Sequence, residues 1–249
     1  MKKIILTLVI ISTLITSCKK KEDNAPAPSS TTTGSTPTPS VEKFGALFSN
    51  QLVHSIFGAT TFTLSYGQNY ALASSSNFDN FNMPLGTFLS MGNVSSNGVT
   101  FKNFFGYYLD STNAAQASPF VWQITGGAVA AFTYTNSAGF STYSNYTSWP
   151  DTLSKSAGFS IPLSGITNAA EAQIYISSVG STTPALTASV VLGSGGSFNV
   201  SSSSLSSVST STSASIQIDL YRNNVQTING VKMNFRNVTS YVKTVPVKN

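Results

Sequence analysis

Apolar side chains recur at every second position along much of the chain beyond residue 42, and this alternation restricts the fold more than any other feature. Five segments show it: Phe62-Leu64-Tyr66, Phe120-Trp122-Ile124, Phe159-Ile161-Leu163, Leu186-Ala188-Val190-Leu192 and Ile216-Ile218-Leu220. A period of two is typical of β-strands that bury one face. The sequence therefore predicts an all-β fold.

Turn signals separate these segments at short intervals. Asn229-Gly230 lies between two alternating runs and is the strongest hairpin signal, and Asn97-Gly98 is a second. Helical signals are limited to single turns at 42–50 and 168–172. Many short strands joined by turns predict an antiparallel β-sandwich.

The 249 residues suffice for one large domain or two small ones. We predict an N-terminal β-rich unit at 42–150 and a C-terminal sandwich at 151–249, packed together; one larger sandwich remains the alternative. The C-terminal stretch resembles an immunoglobulin-like or fibronectin-type domain in length and rhythm. It lacks their paired cysteines and core tryptophan, so this resemblance concerns the architecture alone.

Charged residues make up 8% of the chain, against ~25% in typical soluble domains. Five of the 13 basic residues precede residue 22, and the chain from Glu42 onward has eight basic and six acidic residues. No basic run with interleaved aromatic residues occurs there. This distribution argues against a nucleic-acid partner.

The N-terminus has the pattern of a secretory signal at 1–17. Lys2 and Lys3 precede an apolar run of about a dozen residues, which is shorter than the ~20 residues that span a bilayer. Small Thr16 and Ser17 then precede Cys18, which is the only cysteine. An unpaired thiol in an oxidising compartment is a liability unless its chemistry is used.

This arrangement around Cys18 resembles the lipobox of Bacteroidota-type bacterial lipoproteins of uncharacterised function. The resemblance implies that residues 1–17 are removed, that Cys18 is acylated with fatty acids such as palmitate, and that the protein is anchored in the outer membrane. Several acyl chains give stable attachment without a spanning segment. The cluster Lys19–Asp23 resembles a surface-export signal, so either the periplasm or the cell surface is expected, with the surface favoured.

Residues 18–41 form a segment rich in Pro, Ser and Thr that contains almost no large apolar side chain. Such a composition predicts a disordered stalk between the lipid and the folded part.

The inventory of reactive side chains argues against an enzyme. A single histidine, His54, excludes metal clusters built from several His or Cys residues, and no catalytic residue, metal ligand or cofactor site is identified. A polysaccharide hydrolase needs only two facing carboxyl groups. That alternative stays open, because folding could bring two of the six acids together.

Two aromatic clusters are candidate recognition surfaces. Tyr143, Tyr146 and Trp149 repeat at every third position in a polar loop and are predicted to bind a ligand by stacking. The alternative is that these rings cover the seam between the two halves. In the second cluster, 104–108, alternation along one strand would place half of the rings in the core.

Ser111 and Thr152 each follow an aspartate in triplets that resemble the O-glycosylation acceptor of Bacteroidota envelope proteins. Together these features predict a lipid-anchored envelope protein with a non-catalytic binding or structural role. Its expected partners are the membrane, through Cys18, and a glycan or an envelope protein contacted through loops of the sandwich.

Overall fold

The computed structural model describes residues 43–56, 60–62, 67–74, 88–112, 118–193, 196–210 and 213–249. Side chains are described at Asn69, at 71–74 and in the ranges that begin at residue 88. Cys18, the predicted signal at 1–17 and the predicted stalk at 18–41 lie outside these ranges.

The described residues form an all-β sandwich in which the only helical elements are two short 3-10 turns, at Ser144–Ser148 and Ser203–Leu205. The strands in chain order are β1 Lys43–Ile56, β2 Thr60–Phe62, β3 Gly67–Ser74, β4 Val94–Ser96, β5 Val99–Thr100, β6 Lys102–Phe104, β7 Tyr107–Leu109, β8 Phe120–Ile124, β9 Phe132–Asn136, β10 Thr142–Tyr143, β11 Leu153–Ser154, β12 Phe159–Pro162, β13 Ile166–Thr167, β14 Glu171–Ser178, β15 Leu186–Val191, β16 Ser197–Val200, β17 Ala214–Ile228, β18 Val231–Val245 and β19 Val247–Lys248.

One large sheet is the base of the molecule. Within the described ranges its strand order is β15-β14-β17-β18-β1-β3-β7-β6, with β2 attached to β1. β17 and β18 are its longest strands, with 15 residues each, and they pair over their full length. β1 runs parallel to β18 along the whole of β1, from the pair Lys43–Val231 to the pair Ile56–Thr244. The long hairpin β17–β18 therefore lies inside the sheet, with β14 and β15 on one side and the strands from β1 to β6 on the other.

Two layers lie side by side on one face of this sheet. A four-stranded sheet in the order β5-β4-β8-β9 covers one end, and three two-stranded ladders, β10–β13, β11–β19 and β12–β16, belong to the cover of the other. Two separate hydrophobic cores result in the described part of the chain. We call them core A, which contains Trp149, Ile174 and Ile218, and core B, which contains Trp122, Met233 and Phe235.

The alternation in the sequence accounts for both cores. In β17, Ile216, Ile218 and Leu220 have no exposed surface and belong to core A. In β18, Val231, Met233 and Phe235 are buried in core B. Every second residue of a strand points to the same face of the sheet. One long hairpin can therefore supply two cores on the same face, at different points along its length.

Both predicted Asn-Gly turns are present. Asn229 and Gly230 have φ of 50° and 75° between β17 and β18, and Asn97 and Gly98 have φ of 49° and 80° between β4 and β5. Positive φ at both central residues is the geometry of the type I′ turn, whose twist matches that of paired strands.

The helical signals were wrong at both places. Residues 43–50 belong to β1, and Asn168 has a φ of 60° just before β14 begins at Glu171. In each case pairing with a neighbouring strand, β18 or β17, supplies the backbone hydrogen bonds. The sandwich also contains two parallel pairs among its antiparallel ones, β1–β18 in the large sheet and β11–β19 in a separate ladder.

Candidate functional site

The predicted ligand-binding aromatic residues lie inside core A. Tyr143, Tyr146 and Trp149 are 2%, 9% and 2% exposed. Their rings pack against one another and against Tyr241 of β18, with centroid separations of 5.0 to 6.4 Å. Rings enclosed in this way offer no face to a sugar. The burial corrects the expectation of a stacking surface at these three residues.

The polar atoms of this cluster bind protein groups. The Trp149 indole N–H donates to the Tyr143 hydroxyl at 3.0 Å, and that hydroxyl donates to the Pro162 carbonyl. The Tyr241 hydroxyl accepts from the Tyr143 backbone N–H at 2.9 Å. Burial raises the pKa of Tyr143 and of Tyr241. The loop that carries these rings is thus folded inward, and its hydroxyl groups form hydrogen bonds with protein groups instead of with water.

The two predicted glycosylation residues have different surroundings. Ser111 is exposed in the turn after β7, beside Asp110, which is fully buried. Thr152 is half-buried, and Leu153, which follows it, is fully buried in core A. Ser111 is the more accessible acceptor of the two.

Four of the six acids are described, and they occupy three different places. Asp110 accepts from Asn69 and Thr112, and Asp151 binds the buried ammonium of Lys243 at 2.7 Å. Glu171 and Asp219 lie on the paired strands β14 and β17, where the register Gln173–Asp219 makes them diagonal neighbours. Gln217, Tyr221 and Ser240 all hydrogen-bond to the Asp219 carboxylate. These bonds occupy acceptor positions that a catalytic carboxyl would offer to a substrate.

A polar groove lies between the two cores, with a cavity volume of about 760 Å³. One wall consists of Tyr134 and Thr135 in β9 and of Ser137 and Ala138 after it. The other wall is the segment 168–170 before β14. Arg222, Asn223 and Asn224 of β17 complete the lining. We call this the inter-core groove.

Amide and guanidinium groups organise the groove. Asn224 donates to the Tyr134 hydroxyl at 2.9 Å, and the Arg222 guanidinium contacts the backbone and side-chain oxygens of Asn168 at 3.5 and 3.4 Å. The Tyr134 ring also stacks on Phe235 of core B, with the two ring centroids 4.0 Å apart. Within the described ranges, the lining residues include one cation, Arg222, and no carboxylate.

A band of buried polar side chains lies near the groove, between the cores. Asn69, Asp110, Asn136 and Asn237 are at most 2% exposed. The Asn136 amide donates to Asn237 at 3.4 Å, and Asn237 donates to the backbone carbonyls of Ala138 and Gly139. Because a buried amide costs free energy unless it is paired, these bonds fix the position of the β9 wall relative to β18.

The sequence prediction missed the inter-core groove. The signal that marks it is the polar run at 222–224, which interrupts the alternation in the middle of β17. The other lining residues lie tens of positions away in the chain and meet this run only through the register of β17 with β14 and β18.

Comparison with known proteins gave no relative: no family model, no curated protein and no solved structure matches this chain. In the described part of the chain, no helix is long and apolar enough to cross a membrane. The same part contains no group of three or more His, Cys, Asp or Glu residues arranged to hold a metal ion.

Proposed function

We propose that this protein is a lipid-anchored protein of the cell envelope that binds glycan, without catalysis, in the inter-core groove. The anchor is Cys18 in the outer membrane, and the folded part faces the cell surface in preference to the periplasm. The observation that carries the binding role is the lining of the groove, in which amides, one guanidinium and one tyrosine surround a cavity of about 760 Å³.

The chemistry of the lining suits a saccharide. Sugar hydroxyls both donate and accept hydrogen bonds, and the Asn168 amide and the Tyr134 hydroxyl offer both functions. The volume falls within the range of ~300–1,000 Å³ that is typical of ligand sites. Because Arg222 carries the only charge among the described lining residues, we expect sugars that bear a carboxylate to bind better than neutral ones.

The binding role is tested by affinity electrophoresis through gels that contain polygalacturonate, alginate or, as the neutral comparison, dextran. We expect the acidic polysaccharides to retard the wild-type protein. Arg222→Ala should weaken binding by roughly tenfold or more, because a hydrogen bond to a charged group contributes ~1.5–3 kcal/mol. Lys248→Ala, which removes a cation at an exposed position outside the groove, is the matched control and should bind as the wild type does.

Equal retardation of the Arg222→Ala and wild-type proteins, or none in any gel, would overturn the binding role. Release of new reducing ends by the wild-type protein, abolished by Asp219→Asn, would instead support a hydrolase that uses the diagonal pair Glu171 and Asp219.

The anchor has a separate test. In a bacterial host that acylates lipoproteins, the wild-type protein should incorporate labelled palmitate and sediment with the outer membrane. Cys18→Ser should incorporate none and should not yield the mature chain that begins at residue 18. If intact-mass analysis finds an unmodified Cys18 thiol in the wild-type protein, this part of the proposal is contradicted.

A further inference from the structure

The hairpin β6–β7 ends in two exposed aromatic rings. Phe104 is 50% exposed and Phe105 is 100% exposed, although most other large apolar side chains among the described residues are at least partly covered. Two adjacent rings left in water are unfavourable, and such a patch on a protein surface marks an interaction site.

The backbone at this tip is unusual for the residue that it carries. Phe105 and Gly106 have φ of 54° and 89°, the same type I′ geometry as the turns at 97–98 and 229–230. Those two turns have Asn at the first position, where a left-handed conformation is easily adopted, and this one has a bulky aromatic residue. Local backbone preference therefore does not explain Phe105.

Contacts around the turn hold it in place. The Gly106 N–H donates to the Asn103 side chain at 2.7 Å, and a Cβ at Gly106 would lie 2.5 Å from the Cβ of Phe88. The tip is thus a fixed element that displays its rings, since Gly106 admits no side chain and Asn103 closes the turn.

The tip lies at the edge of the sheet where the chain enters it. β7 pairs with β3 through Leu72–Tyr107, so the tip points toward the end of β3 at Ser74. Ser74 pairs with Phe44 in β1, next to Lys43, the first residue of that strand. With strands ~4.8 Å apart, the tip and the start of β1 are on the order of 10 Å apart along this edge.

Among the described side chains, the charge nearest this edge is positive. Exposed Lys232 pairs with Phe44 at the start of β1, whereas Lys102 pairs with Leu109 at the opposite end of the β6–β7 hairpin. The described carboxylates lie elsewhere, in Asp110 beyond the far end of β7 and in Asp151, Glu171 and Asp219 near core A. An apolar tip with an exposed cation at the same end of the sheet suits the interface of a bilayer that contains anionic lipids.

We propose that the tip at Phe104 and Phe105 inserts into the interface of the membrane to which the chain is anchored. This inference rests on the lipid anchor of the proposed function, because residues 19–42 then connect the bilayer to the very edge that carries the tip. Tethering raises the effective concentration of lipid at the tip, so two rings suffice for docking that they would not support from solution. Insertion orients the molecule with the Asn229-Gly230 turn and the start of β1 toward the lipid.

The test uses tryptophan as a depth probe in the full, acylated protein, reconstituted into phosphatidylethanolamine–phosphatidylglycerol vesicles with brominated acyl chains. Phe105→Trp places the probe at the tip, and Phe104→Trp is a second probe at a position without left-handed strain. Val191→Trp, at an exposed site on β15, is the matched control. Trp122 and Trp149 are buried, and the unsubstituted protein gives their background.

We expect both tip probes to emit at shorter wavelength in vesicles and to be quenched several-fold more strongly than the Val191→Trp probe. Equal quenching at the tip and at the control site in vesicle-bound protein would overturn the inference. A wavelength shift that depends on protein concentration but not on brominated lipid would overturn it in favour of a contact between two copies. Failure of the unsubstituted protein to float with the vesicles would contradict the anchor itself.

Replacing the rings completes the test. Phe105→Asn recreates the turn sequence found at the other two type I′ turns, so the variant should fold at least as well as the wild type. Combined with Phe104→Ser, it should increase protease access to the anchored protein at the Asn229-Gly230 edge. Unchanged access in a folded double variant would contradict docking by the rings.

Discussion

Asp219 is a carboxylate that the fold has removed from water, and burial raises its pKa above its ordinary value of 3.8. Hydrogen bonds from Ser240, Gln217 and Tyr221 oppose this shift without cancelling it. Burial and then the charge of Asp219 raise the pKa of Tyr175, which faces it from β14, and of Tyr221. The Arg236 guanidinium lies 5.3 Å from the centre of the Tyr221 ring and acts in the opposite direction on that tyrosine. This cluster lies on the sheet face opposite to core A.

The sign of the effect on stability follows from proton uptake. The folded state keeps the Asp219 proton to higher pH than the unfolded state, so the free energy of unfolding falls as the pH rises from the ordinary pKa to the raised one. Asp219→Asn removes this contribution. We expect the difference in stability, variant minus wild type, to increase over the interval that begins at about pH 4 and ends at the raised pKa of Asp219, as measured by urea unfolding. A difference that stays constant or decreases over this interval would show that the carboxylate ionises as it would in water.

The three type I′ turns show what a local pattern can predict about an element. Asn97-Gly98 and Asn229-Gly230 were identified from two residues each, because positive φ is costly for most side chains and these residues tolerate it. Phe105-Gly106 has the same geometry without the local signal, and 104–108 was therefore predicted as one strand. Phe105, which is fully exposed, instead lies in a turn, and Tyr108, which is fully buried, lies in the strand that follows it.

Strands whose inward-facing side chains are all buried were likewise predictable from the sequence alternation. β8 matches its alternating segment, and Phe120, Trp122 and Ile124 are all buried in core B. The pairing of β1 with β18 was not predictable, because it is parallel and joins residues more than 180 positions apart in the chain. The burial of Tyr143, Tyr146 and Trp149 was missed for a related reason: the polar residues between them suggested a surface loop, whereas Tyr241 and Pro162 are the distant partners that bind them inside.

At the scale of the whole molecule, the long hairpin is the structural link between the cores. β17 and β18 contribute Ile216 and Tyr241 to core A, and Val231 and Phe235 to core B, without a break in their pairing. β1 extends along both regions, and the buried amides between them are paired. Losing either core would therefore expose apolar residues on strands that the other core needs. The predicted division at residue 150 falls within the cover of core A, to which Tyr143, Tyr146 and Trp149 belong, and it does not divide the sheet that both covers share.

The two tryptophans of the chain allow this coupling to be measured, because Trp149 lies in core A and Trp122 in core B. In a Trp149→Phe background, the remaining Trp122 reports on core B alone. Adding Ile174→Val to core A should cost ~0.5–1.5 kcal/mol, and we expect the urea midpoint seen by Trp122 to fall by the full corresponding amount. The reciprocal pair, Trp122→Phe with Val94→Ala in core B, should shift the transition seen by Trp149 by ~2 kcal/mol.

Circular dichroism of the same samples monitors the strands as a whole, and its midpoint should coincide with that of the tryptophan in each variant. The coupling requires that a defect in one core lower the stability reported by the other, since the hairpin cannot keep half of its residues buried while the rest become exposed. The contrary result is a tryptophan transition that does not shift with the remote substitution, together with two steps in the circular dichroism curve. It would mean that the shared strands separate at the buried polar side chains between the cores and that each core unfolds by itself.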